Sequence, residues 1–187
     1  RSAQGSYERL SEAADELVRL KVDLIVSGGT PITQAAKAAT QTIPIVMVGV
    51  GDPVGSGLVA SLARPGGNVT GLSNLSPPLM VKRLEFLKEA HPAVRRVAVL
   101  LNPANPAQKL SLEAMENVAR PLKVEIRKFE VRNLAEIQSA FAAVAKHSFD
   151  AIVVATDGML TANAGTIAAL AVKQRIASSG NNEYAEA

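Results

Sequence analysis

Polar, mostly uncharged residues recur in this chain wherever an apolar run stops and a helical pattern begins. Gly28, Gly29 and Thr30 follow the run 22–27, Asn102 follows 96–101, and Thr156 with Asp157 follows 150–155. A fourth run, 43–51, empties into Asp52-Pro53. Parallel strands present their carboxyl ends along one edge of a sheet, where loops of this composition can gather a ligand. Free N–H groups and the partial positive charge of a helix N-terminus suit a carboxylate. Gly28 and Gly29 would let a carboxylate or an amide approach the backbone ahead of Thr30. The same residues also read as a tight turn with a helix cap. Asp52 carries a carboxylate suited to an ammonium group, such as that of an amino acid. It also opens an Asp-Pro turn that its own side chain can hold.

Ser73 and Asn74 close the extended segment 68–73, which places them beside a hinge, either touching a ligand or only hydrogen-bonding the hinge. Asn102 precedes Pro103 and is biased towards an extended backbone. Asn105, before Pro106, reads as a helix N-cap. Of Thr156 and Asp157, one is expected to bind ligand and the other to cap the following turn. Gly51, Gly55 and Gly57 resemble a phosphate loop only superficially. They lack a Gly-Lys-Ser/Thr ending and fit no dinucleotide fingerprint. His91 and His147 have no third partner at a spacing useful for a metal or a catalytic triad. The absence of cysteine removes disulfides, zinc-thiolate sites and a thiol nucleophile. No catalytic residue, metal or cofactor is assigned.

Positioning these loops falls to an alternation of strands and helices. The 187 residues are 48% hydrophobic but only 3% aromatic, so the core must be aliphatic, as in α/β folds. The net charge of +3 is spread along helices, with no basic stripe for nucleic acid. No apolar run approaches the length of a membrane span.

Apolar spacing predicts helices over 7–20, from Thr30-Pro31 with Thr30 as cap, over 57–63, and through Met80, Leu84 and Leu87. Further helices are expected through Leu112–Leu122, after the Asn133/Glu136 capping pair, and over 164–176. Strands are expected at 22–27, 43–50, 96–101, 124–131 and 150–155. The Pro77-Pro78 junction divides the chain into a first lobe at 1–75 and a second at 76–187. The first has too few strands to stand alone, so strands are expected to be missing at its amino end, and a last strand after Ile176 is also expected to be missing.

The block 48–73, from Val48 through Gly-Asp-Pro and Arg64-Pro65-Gly66-Gly67 to Ser73, is distinctive. Together with 27–31, 83–88, 97–106 and the closing 183–187, it resembles the bacterial ABC-transporter substrate-binding proteins, including the tryptophan-type binders. The resemblance implies a two-lobed, type I periplasmic-binding-protein architecture, with parallel sheets flanked by helices and truncated at both ends. Gly28, Gly29, Thr30, Asp52, Ser73 and Asn74 would face Asn102, Thr156 and Asp157 across an interlobe cleft. It implies a small-molecule ligand, with an amino acid as the expected class, and a membrane permease as partner. It also implies a periplasmic location or that of an extracytoplasmic lipoprotein, with the signal region not in this chain. A homodimer of the fragment through uncovered sheet edges is a further expectation. The run 176–182 departs from the family pattern, because it lacks an apolar, Pro-initiated strand. Two rival classes remain: a doubly wound enzyme, which needs a nucleophile–base pair, and a ligand-sensing transcription-factor core, which needs a DNA-binding helix-turn-helix.

Overall fold

The computed structural model describes residues 7–186, leaving aside the side chains of Glu8 and Ala185. The chain falls into two compact units. One comprises the residues up to Ser76 together with Ala104–Ala107, and the other comprises Pro77–Pro103 and the residues from Gln108 on.

In the first unit a 3-10 turn, Tyr7–Arg9, leads into α1 (Leu10–Arg19), whose Leu10 and Ala14 are buried. Then come β1 (Ile25–Gly28), α2 (Thr30–Ala39), β2 (Ile45–Val50) and β3 (Val69–Ser73). The strands form a parallel sheet in the order β1-β2-β3. Ile25, Ile45, Met47, Val50 and Val69 pack with Ala36 of α2 and with Leu58 and Val59. The opposite side of the sheet is open, with Val26 66% and Leu72 70% exposed.

Between β2 and β3 the register slips. Met47 pairs with Gly71 but Val50 with Ser73, so β2 carries one extra residue, a bulge with Gly49 at φ 65°. Gly71 sits at φ 135°, and a Cβ there would lie 2.1 Å from the Met47 carbonyl oxygen. Only glycine fits that approach.

In the second unit the order is α3 (Ser76–Ala90, whose first residue belongs to the first unit), β4 (Arg96–Leu101), α4 (Ala107–Ala119), β5 (Glu125–Glu130) and α5 (Leu134–Lys146). It continues with β6 (Ala151–Val154), α6 (Gly158–Ala162), α7 (Ala164–Gln174), β7 (Ala177–Ser179) and α8 (Asn182–Ala185). The sheet is parallel throughout, in the order β5-β4-β6-β7. Every residue of β6 is buried, and β4 is buried from Val97 on, as expected for central parallel strands covered on both faces. Asn133 caps α5 by accepting from the Glu136 N–H, while Glu136 Oε2 accepts from the Arg132 N–H. The cap at Asn133 is the one the spacing predicts, but the return bond from Glu136 reaches the N–H of the residue before the cap rather than the cap's own.

Four expectations change. Residues 57–63 are irregular, with bends rather than a helix, and the Lys37 ammonium donates to the carbonyls of Gly57 and Leu58, satisfying them from α2. The cap of α2 is Gly29 at φ 82°, with Thr30 the first helical residue. A short α6 precedes α7. Finally, a strand does follow Ile176, because β7 pairs with β6 from Ala151↔Ala177 to Val153↔Ser179. Ladder hydrogen bonds come from the backbone, so small Ala and Ser residues pair once β6 offers a free edge. The chain then turns at Gly180, where a Cβ would lie 2.6 Å from the Tyr184 ring, and Tyr184 closes into the core.

Candidate functional site

The residues singled out in the first unit all stand at the carboxyl ends of β1, β2 and β3. Gly28 ends β1, and a Cβ built there meets nothing within 4 Å, so its backbone is open to approach. Gly29 donates its N–H to the Val48 carbonyl at 2.8 Å, tying the start of α2 to β2. Thr30 is buried, and its hydroxyl accepts from the Gly51 N–H at 3.2 Å. Its side chain therefore fastens two strand-end loops together.

Asp52 is half-buried. Its Oδ1 accepts the Gly55 N–H at 2.8 Å, and its carbonyl accepts from both the N–H and the hydroxyl of Ser56. The turn role is thus present, and the second carboxylate oxygen has no partner among the described residues. Ser73 donates to the Val50 carbonyl and accepts from the Leu75 N–H. Asn74 donates to the Gly49 carbonyl and accepts from the Ser76 hydroxyl at 2.7 Å. Both side chains stitch the departing chain to the end of β2.

A pocket of about 250 Å³ lies against β3, lined mainly by apolar groups such as Met47, Leu62, Pro65, Leu72 and Leu75. It takes in Ser73 and none of the other candidates. Neighbouring Gly51 is packed tightly: a Cβ there would be 2.9 Å from both Ala107 Cβ and the Ser76 hydroxyl. Asn105, in the short segment that also belongs to this unit, accepts the Ala107 N–H through its Oδ1 at the start of α4.

In the second unit Asn102 and Asp157 are both buried and joined at 3.3 Å, from Asn102 Nδ2 to Asp157 Oδ1. Asp157 Oδ1 also accepts the N–H groups of Met159 and Leu160, which makes it the cap of α6. The division expected of the 156–157 pair thus places the cap at Asp157 and leaves Thr156 half-buried at the strand end.

Two residues that the sequence did not flag also converge here. Arg83 of α3 donates to the Val154 carbonyl and the Thr156 hydroxyl, each at 3.1 Å. Gln108 of α4 donates to the Thr156 carbonyl at 2.8 Å. Burial pushes the Arg83 guanidinium below its ordinary pKa. No local pattern announces either residue: each meets Thr156 only through the fold.

Among the described residues, no group of three or more His, Asp or Glu is placed to hold a metal. No described helix is long and apolar enough to cross a membrane.

Residues 1–183 match the family described as ABC transporter substrate binding protein. The chain belongs to that family. It is 30% identical over 175 residues to a tyrosine-binding protein of Clostridioides difficile (strain R20291), covering 94% of this chain and 50% of that protein. Among solved structures it resembles an ABC domain in complex with L-Trp from Streptococcus pneumonia, with TM-score 0.90 and 26% identity. That match covers 100% of this chain and 64% of the other. A conserved domain protein from Vibrio cholerae matches with TM-score 0.91 and 32% identity, over 100% of this chain and 62% of that one. The substrate-binding fold of this chain is therefore the type I periplasmic-binding-protein fold, with parallel sheets flanked by helices. The chain spans about half the length of its tyrosine-binding relative.

Proposed function

We propose that this protein is the solute-binding component of an ABC importer, with residues 1–75 and 76–187 serving as its two lobes. It captures a small molecule of the amino-acid class and delivers it to a membrane permease from an extracytoplasmic position. The observation that carries this reading is the polar edge that each parallel sheet presents, in a chain of the substrate-binding family. Support for the amino-acid class comes from the tyrosine-binding relative and the tryptophan-bound structure.

The open approach at Gly28, ahead of α2, suits a polar group of the ligand, an amide or a carboxylate, while the Gly29 N–H is taken by the Val48 carbonyl. The unpartnered oxygen of Asp52 suits an ammonium group. Ser73, Asn74 and Asn102 shape the loops, and Asp157 holds α6. Receptors of this kind bind without changing their ligand, and the family supports that reading over an enzymatic one.

The test is a thermal-shift screen of the full-length protein against the amino acids, followed by calorimetry on the strongest stabiliser. An aromatic or branched amino acid is expected to raise the melting temperature. Asp52→Asn should then weaken binding by roughly tenfold, the loss of one charge-assisted contact. A screen in which no amino acid stabilises the protein overturns the ligand class, and unchanged affinity in Asp52→Asn removes Asp52 from the site.

A further inference from the structure

Thr156 is gripped from two directions. Arg83 donates to its hydroxyl oxygen at 3.1 Å and to the Val154 carbonyl two residues earlier, also at 3.1 Å. Gln108, itself 2% exposed, donates to its carbonyl at 2.8 Å. A guanidinium only donates, so Thr156 Oγ1 must accept and its single proton must turn away from Arg83. Among the described residues, no acceptor takes that proton. The half-buried threonine therefore offers a donor at the carboxyl end of β6, and a positive charge stands directly behind it.

That charge is not neutralised locally. Arg83 makes no ion pair among the described residues, and its other hydrogen-bond contact is the Met80 sulfur. Its desolvation points the same way. Gln108 shows a second, independent sign of a site held in place for use. Its Nε2 must face the Thr156 carbonyl, which leaves Oε1 buried without a partner among the described residues. A buried unsatisfied amide oxygen is disfavoured, and such local conflict concentrates where position matters more than stability.

We propose that Thr156 donates to a carboxylate oxygen of the ligand, and that Arg83 and Gln108 are positioning residues that fix and polarise this donor. The inference rests on the reading of the protein as an amino-acid receptor, and it names the ligand group taken at the second sheet. A cation behind the hydroxyl strengthens it as a donor and favours an anionic acceptor over a neutral one. The arrangement therefore discriminates between an acid and its amide, whatever the side chain of the ligand.

The experiment uses the full-length protein and four probes: L-tyrosine, L-tryptophan and their carboxamides, each titrated calorimetrically. The wild type is expected to prefer acid over amide by roughly tenfold or more, the scale of one charge-assisted hydrogen bond. Thr156→Val, which keeps shape and removes the donor, should bring that ratio close to one. Thr156→Ser should preserve it. Arg83→Met should lower the ratio several-fold, and Arg83→Lys should restore part of it by returning the charge.

A merely structural role would weaken acid and amide by the same factor and leave the ratio intact. That result, or a ratio unchanged in Thr156→Val, overturns the proposal while the receptor reading stands on wild-type binding. If the wild type binds none of the four probes, the aromatic amino-acid reading fails and this inference fails with it.

Discussion

At the edge of β1-β2-β3 the candidate side chains bond mainly to main-chain groups, whereas at the edge of β4 and β6 they also bond to one another and to side chains from other elements. Asp52 accepts from Gly55 three residues on, and Asn74 and Ser73 hold the end of β2. In the second unit Asn102 meets Asp157, and Arg83 meets Thr156. The first edge takes its shape from turn chemistry and from glycines that let loops pack closely. The second takes its shape from side chains that converge only when four elements are in place.

The same contrast runs through the strands. Val26 on β1 is 66% exposed, while Ile152 on β6 is 0% exposed. The first sheet is thus covered on one face and the second on both.

The largest expected effect comes from Gly71→Ala. A methyl group 2.1 Å from the Met47 carbonyl cannot be accommodated without moving β3 away from β2. A loss of roughly 3 kcal/mol or more in urea unfolding is expected, whereas Gly28→Ala, in open space, should cost less than about 1 kcal/mol. Equal losses would show that the glycines of the first edge do not differ in constraint.

Next is the burial contrast. Ile152→Ala should cost about 3 kcal/mol by leaving a cavity in the second core, and Val26→Ala about 0.5 kcal/mol or less. A large loss at Val26 would mean that the exposed face of β1 is covered in solution.

Asp157→Ala should then cost roughly 2 kcal/mol, since it removes the α6 cap and strands buried donors. Asp157→Asn should recover part of this, because an amide oxygen still accepts the N–H groups of Met159 and Leu160. The smallest effect is expected at the corresponding residue of the first edge. Asp52→Asn keeps an acceptor for the Gly55 N–H, so stability should stay within about 0.5 kcal/mol. If Asp52→Asn destabilised as strongly as Asp157→Ala, the distinction between a local turn and a long-range anchor would collapse.

Much of the fold is legible in the sequence because its signals are local. Apolar runs mark the principal strands, the Asn133/Glu136 pair marks the start of α5, and strand-to-loop transitions mark both sheet edges. The order of residues over 48–73 is enough to point to the family. In place of the helix expected at 57–63, backbone partners lie outside the segment: Pro53 and Pro65 accept from Leu58, Val59 and Ala60, and Lys37 of α2 donates to the Gly57 and Leu58 carbonyls. Strand β7 is not legible because its Ala and Ser residues carry no β signal of their own, and pairing with β6 alone makes it a strand.

The candidate site divides along the same line. Residue type and spacing identify the cap and turn residues, since each interacts with backbone a few positions away. Arg83 and Gln108 are invisible by that logic, because a charge or an amide on a helix face has no local mark of what it will meet. The sequence by itself determined the alternating elements, the polar composition of their edges and the family. Only the tertiary structure decided which polar groups serve loops and which are held ready for something else. Hydrogen-bond direction is fixed by partners, and here the deciding partners lie 48 to 73 residues apart.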